Sequence, residues 1–276
     1  MGTTFLLIAA RTDAELLSEA AREIATLERR WSRFLPDSEI SILNRSNGTP
    51  VIVSAETFHV VQAAVDGATA TDGRFDPTVH DAMLALGYGC TFDEMVEAEQ
   101  PGPLAANAAP GVTGIEFDDA IHAVRLPPGV TLDLGGIGKG TAADIVSASV
   151  MRRGARGVAV SIGGDVRVRG ESPSGSGWVF ETGAPMAPFP PLDDGGVCTS
   201  STGRRRWRTA HGDAHHIVDP RTGRSTVGPI ASITVVGGSA QQAEVLTKAA
   251  IVAGRSAPEL LDRFGVMSHI RWQTAA

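Results

Sequence analysis

The 276-residue chain carries 24 basic and 31 acidic side chains, a net charge of −7, and only 5% aromatic residues. Its longest apolar run, Phe5–Ala10, is too short to cross a bilayer or form a usual signal core. The acidic balance argues against nucleic acid as a partner, and two cysteines, Cys90 and Cys198, make neither a disulfide framework nor a zinc site.

What remains is a soluble globular protein able to bury a large core. A reducing compartment is the default for it, so a cytoplasmic location is expected, with no transmembrane segment. Of the 24 bases, 22 are Arg and two are Lys, Lys139 and Lys248. Codon bias in a GC-rich genome accounts for the Arg excess but not for where the two lysines sit.

From Asp13 the apolar residues Leu16, Ala20, Ile24, Leu27, Trp31 and Phe34 recur every three or four positions, which predicts one face of a long amphipathic helix. A second helix is expected over 54–71. Residues 112–134 read as strands, because Ile115 and Phe117 alternate with Glu116 and Asp118, and Val124 and Leu126 flank Arg125. A helix over 141–153 and a buried strand over 158–162 follow. Ser239 with Gln242 forms a capping-box signal for a helix to about residue 252. Ser256 with Glu259, and Pro258 in the first turn, repeats it. Residues 101–111 and 171–196 read as loops. There is no internal repeat, and strands mixed with scattered helices predict an α+β fold, one continuous module over 1–276 with a cleft.

Four segments carry chemistry. LDLGGIGKGT, 132–141, fails the phosphate-loop template because Asp133 and Gly140 stand where Gly and Ser or Thr are needed. Its glycines ahead of a helix still allow backbone N–H groups to meet an anion beside Lys139, or they form an ordinary strand-to-helix turn. SIGGDVRVRG, 161–170, runs a strand into Gly163, Gly164 and Asp165, either for close approach to a ligand or as a bulge or turn. HHIVDPRTG, 215–223, places two imidazoles side by side, of which only one can face a given site if the segment is a strand. Histidine is the usual general base near neutral pH, whereas the cluster His211, His215 and His216 lacks the further ligands of a zinc site. DGRFDPTV, 72–79, sets Asp76 and Thr78 around a proline turn.

Together with MGTTF at the start, ERRWSRFLPDSEISILN, CTSSTGRRRW and SITVVGGSAQQAEVLTKAAIVAG, these segments resemble the ApbE family over nearly the whole chain and in the family's order. The resemblance implies a T-fold-like α+β architecture with mixed and antiparallel sheets, flanking helices and a flavin-binding cleft. It implies an FAD:protein FMN transferase, which with Mg²⁺ splits the FAD pyrophosphate and passes FMN to a threonine of an acceptor flavoprotein. The alternatives are an FAD pyrophosphatase releasing FMN and AMP, or an FAD-binding protein without turnover. By position, Met1, Phe34, Phe75, Asp76, Thr78, Asp133 and Lys139 match flavin or nucleotide contacts. So do Gly163, Gly164, Asp165, Thr199 and Ser200. His216 matches the catalytic histidine, Asp219 is expected to share the catalytic role, and the Gly136 carbonyl matches a metal ligand.

The last motif departs from the family. Where relatives commonly read Asp, and Thr four residues on, this chain has Glu244 and Lys248, with Thr247 one place earlier. Lys248 should therefore point where the metal-binding hydroxyl would be. Either Glu244, Thr247 and the Gly136 carbonyl hold Mg²⁺, or Lys248 pairs with Glu244 and takes over the cation's charge.

Overall fold

The computed structural model describes residues 4–10, 14–95, 107–180, 188–209 and 212–273. After strand β1 (Phe5–Ala10), the three-and-four spacing folds into helix α1 (Ala14–Trp31), which buries Leu16, Ala20, Ile24, Leu27 and Trp31. Phe34 is not on it. Pro36 disfavours helical geometry in the residue before it, Arg33 pairs with Asp133, and the chain turns before α2 (Glu39–Asn44).

After β2 (Val51–Ile52), Ser54 caps α3 (Ala55–Ala70) by accepting from the Thr57 N–H. A 3₁₀ turn (Pro77–Val79), α4 (His80–Ala85) and α5 (Phe92–Met95) follow. Of the stretch read as strands, only β3 (Glu116–Asp118) and β4 (Ala123–Arg125) pair, in a small sheet ordered β2-β4-β3. Residues 130–134 lie outside any sheet. The Asn44 amide takes the place of a neighbouring strand, accepting from Leu132 N at 2.8 Å and donating to Leu132 O at 2.9 Å.

Helix α6 (Gly138–Arg152) begins three residues before Thr141 and leads into β5 (Gly157–Ile162) and β6 (Asp165–Gly170). Ile162 pairs with Asp165, so Gly163 and Gly164 are the two residues of a tight hairpin, at φ 60° and 91°. Such left-handed values at both central positions are what glycine is needed for in a two-residue loop. The loop expected over 171–196 gives way at its end to β7 (Asp194–Ser201). Then come β8 (Arg206–Thr209), β9 (Gly212–His215), β10 (Val218–Asp219), β11 (Arg224–Ser225) and β12 (Ile230–Gly237). Helix α7 (Ala240–Ala253), α8 (Ala257–Asp262) and β13 (Met267–Trp272) close the described chain.

Ser239 caps α7 by accepting from Gln242 N at 3.0 Å, while the Gln242 amide oxygen turns back to Gly238 N. The second expected box does not form. Ser256, at φ −88° and ψ 9°, lacks the extended geometry of an N-cap and donates instead to Ala253 O, because the chain runs from α7 to α8 through a 3₁₀ turn.

The main sheet has six strands, ordered β1-β5-β6-β7-β12-β13, with antiparallel neighbours throughout. Strand alternation divides its faces. Val158, Val160, Ile162, Cys198, Ile233 and Val235 join the core shared with α1, α6 and α7, which gathers residues from Leu16 to Leu261. On the other face Ala159 and Val168 meet Trp178, and Val197 and Val236 meet Phe189. Among the described residues no helix is long and apolar enough to cross a membrane.

Candidate functional site

The end of α1, the turn before α4, the 133–138 segment, Arg205, the residues after β9 and the far half of α7 enclose one cleft of ≈ 1080 Å³, measured out to its open mouth. Trp31, Phe34, Phe75, Tyr88, Leu134 and Ile217 give it apolar walls. Arg33, Arg74, Lys139, Arg205 and Lys248 line it against only Asp76 and Asp133. On a chain of net charge −7 the lining itself is rich in cations, although Arg33, Lys139 and Lys248 are paired with Asp133, Asp165 and Glu244.

Each wall has a local cause. The Phe75 ring needs its neighbour to be glycine, since a Cβ at Gly136 would lie 2.9 Å from Phe75 Cε2. Asp133 accepts from Gly135 N at 2.6 Å and from Arg33 Nε at 2.8 Å, both side chains being nearly buried. The Arg33 guanidinium also donates to Tyr88 O at 2.6 Å and lies 4.2 Å from the Phe34 ring centre and 4.7 Å from that of Tyr88. Asp76 caps the 3₁₀ turn, accepting from Thr78 N at 2.8 Å and Thr78 Oγ1 at 2.6 Å. Burial raises its pKa against those two hydrogen bonds.

The 132–141 segment does not cradle an anion with the backbone groups the structure defines. Gly135 N–H goes to Asp133, Ile137 and Gly138 N–H to Leu134 O, and Gly140 N–H to Glu244 Oε2 at 2.7 Å. These glycines serve the turn and the helix start, while Gly135, Gly136, Gly138 and Lys139 line the cleft.

Behind it lies a row of buried charges. Lys139 Nζ meets Asp165 Oδ2 at 2.6 Å and also Glu244 Oε1, and Lys248 Nζ meets the same Glu244 oxygen at 3.2 Å. Glu244 has no exposed surface. Burial disfavours the Lys139 ammonium, but Asp165 and Glu244 outweigh it and raise its pKa. Burial likewise opposes the Asp165 carboxylate, yet Lys139 and Lys248 hold its pKa below the ordinary value. Two cations and two anions thus close on one another.

The two histidines face different ways, as strand geometry requires. His215 Nε2 meets Thr226 O at 2.9 Å while its Nδ1 accepts from Ile217 N, which fixes a neutral tautomer. His216 lines the cleft, and its Nδ1 is out of contact with solvent and without a hydrogen-bond partner among the described residues. Burial, and after it the charges of Arg205 and Lys248, lower its pKa to about 3. Asp219 is not its partner. That carboxylate accepts from Arg221 at 2.9 and 2.7 Å, and its neighbours Val218 and Pro220, not it, line the cleft.

The cleft therefore brings together Phe34, Phe75, Asp76, Asp133, Gly136, Lys139, His216 and Lys248. Thr78 stands behind Asp76. Gly163 and Gly164 form the hairpin outside the cleft wall, tied to the start of β1 by Gly163 N–H to Thr4 O. Asp165 touches the cleft only through Lys139. Thr199 donates its N–H to Asp165, and Ser200 and Thr247 share a hydrogen bond at 2.8 Å inside the sheet–helix interface. Met1 and His211 lie outside the described residues. Arg33, Arg74, Tyr88 and Arg205 were not anticipated. The one signal for them was compositional, Tyr88 being the only tyrosine and Arg205 part of the densest basic run.

A model of the ApbE family matches residues 1–270. The chain belongs to the ApbE family. The "FAD:protein FMN transferase" of Vibrio cholerae is 28% identical over 249 residues, covering 87% of this chain and 73% of the relative. That of Salmonella typhimurium is 26% identical over 273 residues, covering 94% and 77%. The flavinyl transferase ApbE of Pseudomonas stutzeri superposes with a TM-score of 0.84 at 23% identity, covering all of this chain and 89% of that one. The ApbE protein of Thermotoga maritima gives 0.83 at 24%, covering 99% and 96%. The α+β architecture, with its antiparallel main sheet and flanking helices, is that of the ApbE proteins.

Proposed function

We propose that this ApbE family member is an FAD:protein FMN transferase, acting as one unit over 1–276 on a threonine of an acceptor flavoprotein. The observation that carries the reading is the cleft itself: aromatic walls, with the ammoniums of Lys139 and Lys248 and the Arg205 guanidinium lining it on an otherwise acidic protein. Phe34, Phe75 and Tyr88 supply faces for the flavin or adenine, and the two ammoniums meet the pyrophosphate.

Transfer forms a bond from the threonine Oγ to the FMN phosphorus and breaks the bond from that phosphorus to the AMP oxygen, whose electron pair leaves with AMP. The threonine proton needs an acceptor. His216 lines the cleft, is neutral at physiological pH because its pKa lies near 3, and is the candidate acceptor. The anionic pyrophosphate opposes the neighbouring cations that help depress this imidazole, so substrate raises its basicity where it is needed. Asp219 fixes the turn that carries Val218 and Pro220 rather than orienting the base.

The donors offered for a divalent cation do not fit one. Both Glu244 oxygens accept from nitrogen donors, and Thr247 donates to the Glu244 carbonyl at 2.7 Å and shares its hydroxyl with Ser200. Among the described residues no three His, Cys, Asp or Glu side chains come together as a metal site. The reading places the protein in the cytoplasm, where the free thiols of Cys90 and Cys198 stay unpaired.

The test is incubation with FAD and an acceptor flavoprotein or threonine peptide, with and without divalent ions, followed by mass spectrometry. An FMN adduct on threonine is expected. Water in place of threonine would give free FMN and AMP, the hydrolase outcome. Neither adduct nor free FMN under any condition refutes the enzyme and leaves a binder.

A further inference from the structure

We infer that the ε-ammonium of Lys248, clamped by Glu244, is a built-in replacement for the divalent cation, so that this chain engages the FAD pyrophosphate without a metal. The inference rests on the FAD reading above and goes beyond it.

The geometry leaves a metal no ligand to take. Glu244 is wholly buried, with Oε1 shared between Lys139 and Lys248 and Oε2 held by the Gly140 N–H. A cation seated on Glu244 would have to displace an ammonium and then stand beside it, like charge against like. Thr247 offers no alternative, because its hydroxyl faces Ser200 across the sheet–helix interface and is fully buried. The remaining candidate, the Gly136 carbonyl, is a single neutral oxygen, and a hard cation needs several.

Lys248 is placed to act. It lies four residues after Glu244 on α7, and its side chain lines the cleft beside Gly136, with Cγ 3.8 Å from where a Gly136 Cβ would be. The charges balance in the same sense. Asp165, Glu244, Lys139 and Lys248 sum to zero, whereas a neutral residue at 248 would leave one net negative charge facing an anionic ligand. Either an ammonium or a metal ion can correct that, and this chain supplies the ammonium. Lysine presents a compact point charge here, where arginine would present a larger planar fork. In a chain that uses arginine almost everywhere else, both lysines lie in this one cluster.

The experiment is a titration of FAD onto the 276-residue protein, followed by quenching of flavin fluorescence, in EDTA and in excess Mg²⁺. Wild-type affinity should agree within about twofold between the two conditions. Lys248→Thr should lose about tenfold or more in EDTA and regain it with Mg²⁺. Lys248→Met should lose affinity without regaining it, and circular dichroism checks that each variant is folded. Calorimetric titration of Mg²⁺ into the FAD complex should show binding to Lys248→Thr and none to wild type. Wild-type protein that needs Mg²⁺ to hold FAD, or that binds Mg²⁺ in the complex, overturns the inference and leaves the FAD reading standing. Wild-type protein that binds no FAD under either condition overturns the FAD reading and the inference with it.

Discussion

Gly140 packs its backbone against the first turn of α7, and replacing it tests whether that close approach holds the site together. A Cβ there would lie 2.4 Å from the Ala240 carbonyl oxygen, 2.6 Å from its carbon and 2.8 Å from Gln241 N. The obstacle is the first turn of α7, which cannot shift aside freely. Asp144 accepts from Ala240 N at 3.2 Å and Gln241 N at 2.8 Å, and a Cβ at Gly196 on β7 would meet Ala240 N at 2.2 Å from another side. Overpacking of this kind costs about 1–3 kcal/mol. Weakening the Gly140 N–H bond to the buried Glu244 carboxylate adds about 1–3 kcal/mol. Alanine's better helix propensity returns about 1 kcal/mol. Gly140→Ala should therefore lose about 3 kcal/mol and lower Tm by about 6–12 °C in a chain of this size. Gly138→Ala, two residues earlier, is the control. Its Cβ would meet nothing closer than Leu134 Cβ at 3.7 Å, so it should be neutral or stabilising by up to about 1 kcal/mol. Urea unfolding of both variants measures the difference. Gly140→Ala within about 0.5 kcal/mol of wild type would refute the reasoning, since distant, unstrained substitutions stay within that range.

Three further outcomes are expected. Ser54→Ala removes a cap that also donates to Glu39 and should cost about 1 kcal/mol, whereas Ser256→Ala, which caps nothing, should change stability by less than half as much; denaturation midpoints compare them. Asn44→Ala strips both partners from the buried Leu132 backbone and should cost about 2 kcal/mol, with faster amide exchange at Leu132 as the local readout. The His216 pKa is lowered from 6.5 unfolded to about 3 folded, so the unfolded chain binds the proton first. Its contribution is fully present above pH 6.5 and falls by up to about 1.4 kcal/mol for each unit below it, as far as about pH 3. His216→Gln should flatten stability between pH 6.5 and 4.5 relative to wild type, and an unchanged slope would count against the buried neutral imidazole.

Local signals were legible wherever one physical rule acted alone. The apolar period of α1, and the caps Ser54 and Ser239, needed only helix geometry. Phe34 falls outside α1, which ends at Trp31, and Pro36 just beyond disfavours helical geometry in the residue before it. Ser256 has the residues of a capping box but not the backbone angles, which a preceding helix denies it. In the site, the resemblance located His216 and Lys139 through their motifs. It could not separate residues that line the cleft from those, such as Asp165 and Ser200, that hold up the ones that do. Arg33, Arg74 and Arg205 were hidden for another reason: arginine is so common here that its identity carries no signal, and only tertiary placement distinguishes these three.

The cleft wall is drawn from Trp31 at one extreme and Val252 at the other. No fragment that stops short of α7 contains it, and a ribosome has to deliver the chain through residue 252 before α7 can bring Lys248 up to Gly136. Flavin binding can therefore act only on a finished fold, where it adds its linkage to stability. A nascent or truncated chain would find no flavin to steady it, so ligand supply should govern how long the mature protein survives rather than how readily it first folds.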